Sequence, residues 1–315
     1  MGKLIAIVGA TATGKTTLAI KLGLQFGGEV INADSRQVYR HMDIGTAKPT
    51  PHERALVPHH LLDVVDPNEP FSLGQWLQLA HQALQDIWSR DKIPFLVGGT
   101  GQYVWALLEG WAVPQVPPQP ELRRRWAEVA SREGPQALFR QLVLYDPKAA
   151  QFIDPRNVRR VIRALEVIHV TGQPFSQLRR RQQPPFQYLA IGLWLPRREL
   201  FAKIDARVEE MIQKGLIEEV RRLLAMGYSS SLPSMSGIGY KEICAYLRGE
   251  IELQEAVARI KWETHRLVRH QEKWFRHSDQ RIVWLRANSP NLEDEASQLI
   301  SRWLAQEEVV SHCAS

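Results

Sequence analysis

The chain has 315 residues, 44% of them hydrophobic and 23% charged, and its formal net charge is +6. This composition is typical of a globular protein with one large or two modest domains. No stretch approaches the ~18 uninterrupted apolar residues of a membrane span. The two cysteines, Cys244 and Cys313, are too few for a disulfide framework or a four-ligand zinc site. We therefore expect a cytoplasmic protein without a membrane partner.

The first predicted strand leads directly into a phosphate-binding loop. The apolar run Leu4–Val8 predicts a buried strand, and Gly9–Thr16 fits the pattern GxxxxGK[ST]. Such a loop turns backbone N–H groups towards phosphate oxygens, and the helix after it adds its positive N-terminal end. Lys15 would bring a positive charge to the distal phosphate, and the Thr16 hydroxyl is a natural Mg²⁺ ligand. The candidate diphosphate-binding residues are Gly9, Thr11, Ala12, Thr13, Gly14, Lys15 and Thr16.

This motif leaves the ligand open, because any Mg²⁺-chelated diphosphate fits it, whether a nucleotide such as ATP or a prenyl diphosphate. In a nucleotide hydrolase, the apolar run Ile93–Val97 would end in an aspartate that helps to hold Mg²⁺. Here it ends in Gly98-Gly99-Thr100-Gly101. The sequence therefore predicts a site that binds a diphosphate without necessarily hydrolysing a nucleotide.

Strands and helices alternate over the first ~110 residues, which favours a parallel sheet covered by helices on both faces. Ser72 is placed to cap a helix that runs to about Arg90. The predicted strands are Leu4–Val8, Glu29–Ala33, His60–Val64 and Ile93–Val97. Ligands bind at the carboxyl ends of parallel strands. Asp34 follows the second strand, so we expect it to face the diphosphate, as an Mg²⁺ ligand or as a base.

A proline-rich hinge, residues 114–120, interrupts this alternation and begins a basic helical segment. Residues 121–181 contain 13 Lys and Arg against 6 Asp and Glu, and this excess accounts for the whole net charge. Such a patch suits a polyanion such as nucleic acid; a solvated surface is the alternative. The predicted helices here are Glu121–Ser131, Pro135–Leu144 and Asn157–Val170. The last is amphipathic, with one apolar stripe formed by Val158, Val161, Ile162, Leu165 and Ile168.

Strand character returns after Pro184-Pro185. The predicted elements are strands Tyr188–Leu195 and Arg281–Leu285 and helices Arg197–Met226 and Leu253–Arg276. We therefore predict a P-loop NTPase-like α/β core, residues 1–113 and 187–315, with an inserted all-helical domain, residues 114–186, that suits a polyanion such as nucleic acid.

Several blocks together resemble the bacterial tRNA isopentenyltransferase family, the tRNA dimethylallyltransferases. They occur in the family's order and are Gly9–Thr17, Asp34–Tyr39, Met42–Pro49, His59–Asp63, Gly98–Tyr103, Asp154–Arg160 and Gly237–Glu242. The resemblance implies transfer of the dimethylallyl group of dimethylallyl diphosphate to N6 of adenosine 37, beside the anticodon of tRNAs that read codons beginning with U. It also implies a monomer that uses Mg²⁺.

The resemblance implies roles for particular residues as well. Asp34 would be the general base, Thr100 would lie near the reacting centre, and Thr16 would hold Mg²⁺. Arg207, also in the catalytic set, would contact the pyrophosphate or a lid. The residues implied in tRNA binding are Asp34, Ser35, Arg36, Gln37, Thr100, Arg123, Arg159, Arg160, Arg163, Tyr240 and Lys241. The chain departs from the family pattern at Lys203, where an arginine is common, and at Ser236, so their roles are open.

Two other functions compete with prenyl transfer. A small-molecule P-loop kinase could use the insertion as a lid, but it would lack the acidic residue after Ile93–Val97, and the insertion is very basic for a lid. A non-catalytic RNA-binding protein could keep the loop for structure only, and Asp34 beside the loop argues against that.

Overall fold

The computed structural model describes residues 2–114, 116–178 and 180–306. The chain divides into two compact units. Residues up to 108 and those from 184 onward form the α/β unit, and residues 109–183 form the helical unit. The predicted insertion covered residues 114–186.

A parallel sheet forms the centre of the α/β unit, as the sequence predicts. Over the described residues its strands are β1 (Gly2–Gly9), β2 (Gly28–Asn32), β3 (His59–His60), β4 (Ile93–Gly98), β5 (Phe186–Trp194) and β6 (Ile282–Arg286). Their order is β3-β2-β4-β1-β5-β6, with every pair parallel. Ile7 on β1 pairs with Val97 on one side and Ile191 on the other. The phosphate loop therefore follows an inner strand of the sheet and not an edge strand.

The helices follow mostly from their apolar periodicity. In chain order they are α1 (Lys15–Phe26), α2 (Pro51–Leu56), α3 (Leu73–Ser89), α4 (Gly101–Leu108), α5 (Pro120–Glu133), α6 (Pro135–Tyr145), α7 (Val158–Thr171), α8 (Phe175–Leu178), α9 (Arg197–Gln213), α10 (Leu216–Ala225), α11 (Tyr240–Leu247), α12 (Leu253–Trp274) and α13 (Leu292–Ala305). Helices α5 to α8 belong to the helical unit. Ser72 caps α3 as predicted, because its hydroxyl accepts the N–H of Gln75 and the Gln75 side chain returns a bond to Ser72 N.

Apolar side chains of the sheet and of the helices on its face form the core of the α/β unit. Ile5 and Ile7 on β1, Leu22 on α1 and Ile300 on α13 are fully buried in one cluster. Burial of such side chains supplies most of the favourable free energy of folding. This core fixes the carboxyl ends of β1, β2 and β4 as one edge of the sheet.

The predicted strand His60–Val64 is wrong in length, because β3 contains only His59 and His60. Leu61 and Asp63 have φ of 64° and 55°. Left-handed backbone cannot continue a strand. The apolar residues after the histidines therefore lie in irregular backbone and not in a strand.

The predicted helix Arg197–Met226 is wrong as one element, because the chain breaks it into α9 and α10. Gly215 adopts a φ of 97° at the break. Glycine accepts this conformation without steric cost.

The helical unit has its own apolar core. Val161 and Leu165 on α7 and Leu138 and Leu142 on α6 are buried together. The apolar stripe predicted for α7 is confirmed, since its members lie in this core or against it. Asn157 caps α7 by accepting the N–H of Arg160.

Across residues 2–114, 116–178 and 180–306, the structure contains no helix that is both long and apolar enough to span a bilayer.

Candidate active site

The phosphate loop is shaped by close contacts at the end of β1. Gly9 has a φ of 134°, and a Cβ there would lie 2.4 Å from the carbonyl oxygen of Leu193 on β5. Only glycine fits this position. The Thr13 hydroxyl donates to Ala10 O at 2.9 Å, and Lys15 Nζ donates to the same oxygen at 2.6 Å. Lys15 and Thr16 open α1, so the loop presents backbone N–H groups, a lysine and a hydroxyl at a helix N-terminus.

The electrostatics of Lys15 suit an anionic ligand. Desolvation lowers the pKa of Lys15 to about 8, and the neighbouring charge of Arg207 also lowers it, while Asp34 acts in the opposite direction. Desolvation lowers the pKa of Arg207 as well, again opposed by Asp34. Two poorly hydrated cations beside one carboxylate gain more from a bound anion than hydrated ones would.

Gln271 on α12, a helix outside the sheet, hydrogen-bonds to the phosphate loop. Its Oε1 accepts the N–H of Thr11 at 2.9 Å, and its Nε2 donates to Gly99 O at 3.1 Å. The side chain fits closely, because a Cβ at Gly99 would lie 2.3 Å from its Nε2. Gln271 therefore joins the phosphate loop to the turn that contains Thr100.

Asp34 lies directly beyond β2, and its carboxylate is held by the local backbone. Asp34 Oδ1 accepts the N–H of Arg36 at 2.8 Å. Among the described residues nothing hydrogen-bonds Asp34 Oδ2. Thr100 Oγ1 accepts the N–H of Ser35 at 3.0 Å and donates to Ser35 Oγ at 3.3 Å. The structure thus brings the predicted Asp34, Ser35 and Thr100 together.

Arg36 and Gln37 reach different neighbours. Arg36 donates to the carbonyl oxygen of Pro233 at 3.0 Å. Gln37 Nε2 donates to the carbonyl oxygens of Thr46 and Ala47, each at 3.1 Å. Because both neighbours are carbonyl acceptors, the Gln37 nitrogen must face them. The Gln37 Oε1 atom therefore faces away from Thr46 and Ala47 and remains an acceptor.

A cleft of about 430 Å³ joins these groups within the α/β unit. Thr11 and Ala12 of the phosphate loop line it, together with Asp34, Thr100 and Arg207. Apolar side chains of α9 and α12 form one side. They are Ile204, Val208, Met211, Ile260, Leu267 and Trp274.

Tyr240 lines the same cleft, but it is only 1% exposed and belongs to a buried network. Its hydroxyl donates to Glu219 Oε1 at 2.7 Å. Glu219 also accepts the N–H groups of residues 43, 44 and 45 at 3.0, 2.8 and 3.2 Å. Lys241, next to Tyr240, is exposed and lies 3.3 Å from Glu242.

The two departures from the family pattern lie at the surface. Lys203 on α9 is exposed, one turn before Arg207. Ser236 is exposed, lines the cleft, and donates its hydroxyl to Pro233 O at 2.6 Å.

The four arginines of the helical unit that are predicted to bind tRNA have two kinds of surroundings. Arg123 and Arg163 both donate to Glu166, which is fully buried. Arg159 and Arg160 are exposed in the first turn of α7. A cation at a helix N-terminus opposes the helix dipole and lowers stability unless an anion is nearby.

No group of three or more metal-ligating side chains occurs in the described part of the chain. Thr16 and Asp34 nevertheless fit Mg²⁺, because this ion keeps several waters and is held by few protein oxygens together with substrate phosphates.

Sequence reasoning found the loop, Asp34 and Thr100 but missed the sites of Gln271 and Glu219. Gln271 recurs at helical spacing with Ile260, Thr264, Leu267 and Trp274, and this side of α12 lines the cleft. Glu219 carried no local signal, since its backbone partners in the turn lie about 175 residues away and Tyr240 lies 21 residues away.

This fold and site define a class. A phosphate loop after the inner strand β1, a carboxylate after β2 on the far side of β4, and a partly apolar cleft are the features of a P-loop-like α/β protein. Comparison with protein families narrows the class. The model of the IPP transferase family matches residues 37–278, and the isopentenyl transferase model matches residues 2–59. The chain therefore belongs to the IPP transferase family.

Individual relatives agree with this assignment. The tRNA dimethylallyltransferase of Roseiflexus sp. (strain RS-1) is 52% identical over 301 residues, which cover 96% of this chain and 98% of the relative. That of Chloroflexus aurantiacus is 53% identical over 284 residues, 90% of this chain and 96% of the relative.

Solved structures also match. The tRNA isopentenylpyrophosphate transferase of Bacillus halodurans has a TM-score of 0.74 at 38% identity and covers 99% of this chain and all of its own. A eukaryotic dimethylallyltransferase described as acting on tRNA has a TM-score of 0.81 at 28% identity, with 97% of this chain and 80% of the other covered.

Proposed function

We propose that the protein transfers the dimethylallyl group of dimethylallyl diphosphate to N6 of adenosine 37 in tRNAs that read codons beginning with U, and releases pyrophosphate. The observation that carries this proposal is one cleft with a phosphate loop at one end, Asp34 beyond the next strand, and an apolar side from α9 and α12. The family relatives named as tRNA dimethylallyltransferases support the same reaction.

The phosphate loop would hold the leaving group. Negative charge grows on the pyrophosphate as the carbon–oxygen bond breaks, and fixed donors aimed at that charge lower the barrier. Lys15 and Arg207 are both desolvated cations next to the cleft, so each would stabilise the departing charge more strongly than a hydrated side chain. Thr16 and the substrate phosphates would hold Mg²⁺, which neutralises diphosphate charge when bound.

Asp34 would serve the acceptor. The adenine N6 forms a new N–C bond to the prenyl carbon, the C–O bond to the diphosphate breaks, and the surplus N6 proton passes to the carboxylate. Asp34 Oδ1 is already engaged by Arg36 N–H, so Oδ2 is the oxygen that would take the proton. Thr100 would lie beside the reacting centre, since its hydroxyl fixes the Ser35 backbone next to Asp34.

The apolar side of the cleft suits the prenyl chain. Ile204, Met211 and Leu267 offer it a surface without hydrogen-bond demands. The adenine must leave the anticodon-loop stack to reach this depth, and enzymes that act on a base pay that cost by flipping it into a pocket.

The helical unit would hold the tRNA anticodon stem-loop through phosphate contacts. Arg159 and Arg160 are the strongest candidates, because a helix N-terminus that carries two exposed arginines favours an anion. Arg123 and Arg163 would shape this surface through Glu166 instead. Lys241 would extend the basic surface on the α/β unit. We further propose that the enzyme works as a monomer in the cytoplasm.

Purified protein tests the proposal with Mg²⁺, dimethylallyl diphosphate and unmodified tRNA. Mass spectrometry of the digested nucleosides should show N6-dimethylallyladenosine, and its amount should grow with time. A matched reaction with ATP in place of dimethylallyl diphosphate should give neither this nucleoside nor phosphorylated product. Phosphorylation of a metabolite from ATP without any tRNA product would contradict the proposal and favour a kinase.

A further inference from the structure

We propose that Glu219 is a positioning residue for the RNA acceptor, because it holds the start of the turn at residues 43–47, whose residues 45–47 line one wall of the cleft. This inference rests on the proposed function. Glu219 touches neither the phosphate loop nor Asp34 in its hydrogen bonds, so its effect would pass through the turn.

The carboxylate of Glu219 is saturated by four donors. Three are consecutive backbone N–H groups, those of Asp43, Ile44 and Gly45, and the fourth is the Tyr240 hydroxyl. The residue is only 1% exposed. A buried carboxylate is costly unless its oxygens are fully hydrogen-bonded, so the turn and Glu219 stabilise each other.

The held turn is part of the cleft itself. Gly45, Thr46 and Ala47 line the cleft together with Tyr240. Gly45 packs closely against the ring of Tyr240, since a Cβ at Gly45 would lie 2.5 Å from Tyr240 Cε2. Any displacement of the turn therefore moves a wall of the site.

The same turn sets the side chain of Gln37. Its amide nitrogen donates to the carbonyl oxygens of Thr46 and Ala47, which fixes its Oε1 as an acceptor. Gln37 lies three residues after Asp34, on the segment that we assign to the acceptor base. Glu219 thus acts on the acceptor side of the cleft, whereas Gln271 braces the phosphate loop.

A second anchor keeps the turn folded without Glu219. Buried Lys48 donates to Asp43 Oδ1 at 2.6 Å and to Asp63 Oδ1 at 2.7 Å. Because this anchor is independent of Glu219, loss of the Glu219 carboxylate should shift the turn rather than unfold the segment.

Steady-state kinetics with an anticodon stem-loop RNA tests the inference in the full chain. Glu219→Gln places an amide where four donors need acceptors, so we expect the KM for RNA to rise about tenfold or more, the effect of losing a hydrogen bond to a charged group. The KM for dimethylallyl diphosphate should stay within about twofold of wild type. Tyr240→Phe removes one donor only and should raise the KM for RNA by about threefold.

Glu29→Gln is the matched control, because Glu29 is also a buried carboxylate of the α/β unit, 4% exposed, but lies at the start of β2 and pairs with Arg90 and His60. It should lower the melting temperature and leave both KM values unchanged. Unchanged KM values in Glu219→Gln and Tyr240→Phe, or equal rises for both substrates, would overturn the inference. If Glu219→Gln fails to fold, the two KM values of Tyr240→Phe alone test the inference. An inactive wild-type enzyme would instead refute the proposed function.

Discussion

Glu219 in the α/β unit and Glu166 in the helical unit are both almost fully buried, but their carboxylates serve different purposes. In the α/β unit, Glu219 accepts three backbone N–H groups and one hydroxyl. In the helical unit, Glu166 accepts two arginine side chains and the N–H of Gln119. The first carboxylate orders a turn beside the cleft. The second neutralises two cations.

This difference changes how the charge of the chain should be counted. The sequence counts every arginine of the basic segment as available to a polyanion, yet Arg123 and Arg163 already have a fully buried partner. Chemistry should therefore depend on a few groups in the cleft, and RNA affinity should depend on a subset of the arginines. Each prediction below tests one side of that contrast.

The largest effect is expected for Asp34→Asn. The substitution keeps an oxygen for Arg36 N–H but removes the base, so we expect the single-turnover rate to fall by about 10²–10⁴-fold. Equilibrium binding of tRNA should stay within about twofold, because no phosphate contact is lost. A rate close to that of wild type would remove Asp34 as the base.

A smaller loss is expected for Gln271→Glu, which has the same shape. It keeps an acceptor for Thr11 N–H, loses the donor to Gly99 O and adds negative charge beside the phosphate loop. We expect kcat/KM for dimethylallyl diphosphate to fall by about 10–100-fold, because a buried carbonyl loses its donor and the added negative charge repels the diphosphate. The KM for RNA serves as the internal control and should change little; an equal change there would mean that the brace supports the whole cleft.

The pH dependence of pyrophosphate binding should follow Lys15. Its pKa is lowered to about 8 in the free protein by desolvation, and a bound anion raises that pKa again. Binding therefore takes up a proton above pH 8, and the affinity for Mg²⁺-pyrophosphate should fall by up to about tenfold per pH unit. In Lys15→Arg the side chain stays charged, so calorimetry from pH 7 to 9.5 should show no such fall. The same fall in both proteins would assign the titration to another group.

The smallest effects are expected for the arginines of the helical unit, and they differ between Arg159 and Arg160 on one side and Arg123 on the other. Replacing both Arg159 and Arg160 by glutamine should reduce the slope of log affinity against log salt by about 1.8, since each lost phosphate contact removes about 0.9 for duplex or 0.7 for single-stranded RNA. Arg123→Gln should leave that slope unchanged and instead destabilise the protein by about 1–3 kcal/mol, because Glu166 loses a partner.

Filter binding between about 50 and 300 mM salt, with thermal melting in parallel, separates these outcomes. An equal slope change for Arg123→Gln would show that its pairing with Glu166 does not prevent RNA contact.

Local patterns in the sequence predict much of this molecule. The phosphate loop, the apolar strands, the Ser72 cap and the stripe of α7 each depend on neighbours within one element, and each is found in the structure. Asp34 and Thr100 could be placed at one edge because parallel strands end together.

The remaining features depend on distant partners or on backbone conformation. The pairing of Arg123 with Glu166 spans 43 residues, and that of Glu219 with the turn spans about 175. No periodicity records such contacts. The early end of β3 and the break at Gly215 depend on left-handed backbone that several residue types can adopt.

The central claim is that the phosphate loop holds a leaving group, and the ratio of products tests it most directly. Pyrophosphate and N6-dimethylallyladenosine should be measured in the same single-turnover reaction with dimethylallyl diphosphate and an anticodon stem-loop RNA. We predict one pyrophosphate for each modified adenosine and none when the RNA is omitted. Pyrophosphate release at the same rate without RNA, or prenylated RNA without stoichiometric pyrophosphate, would contradict the account.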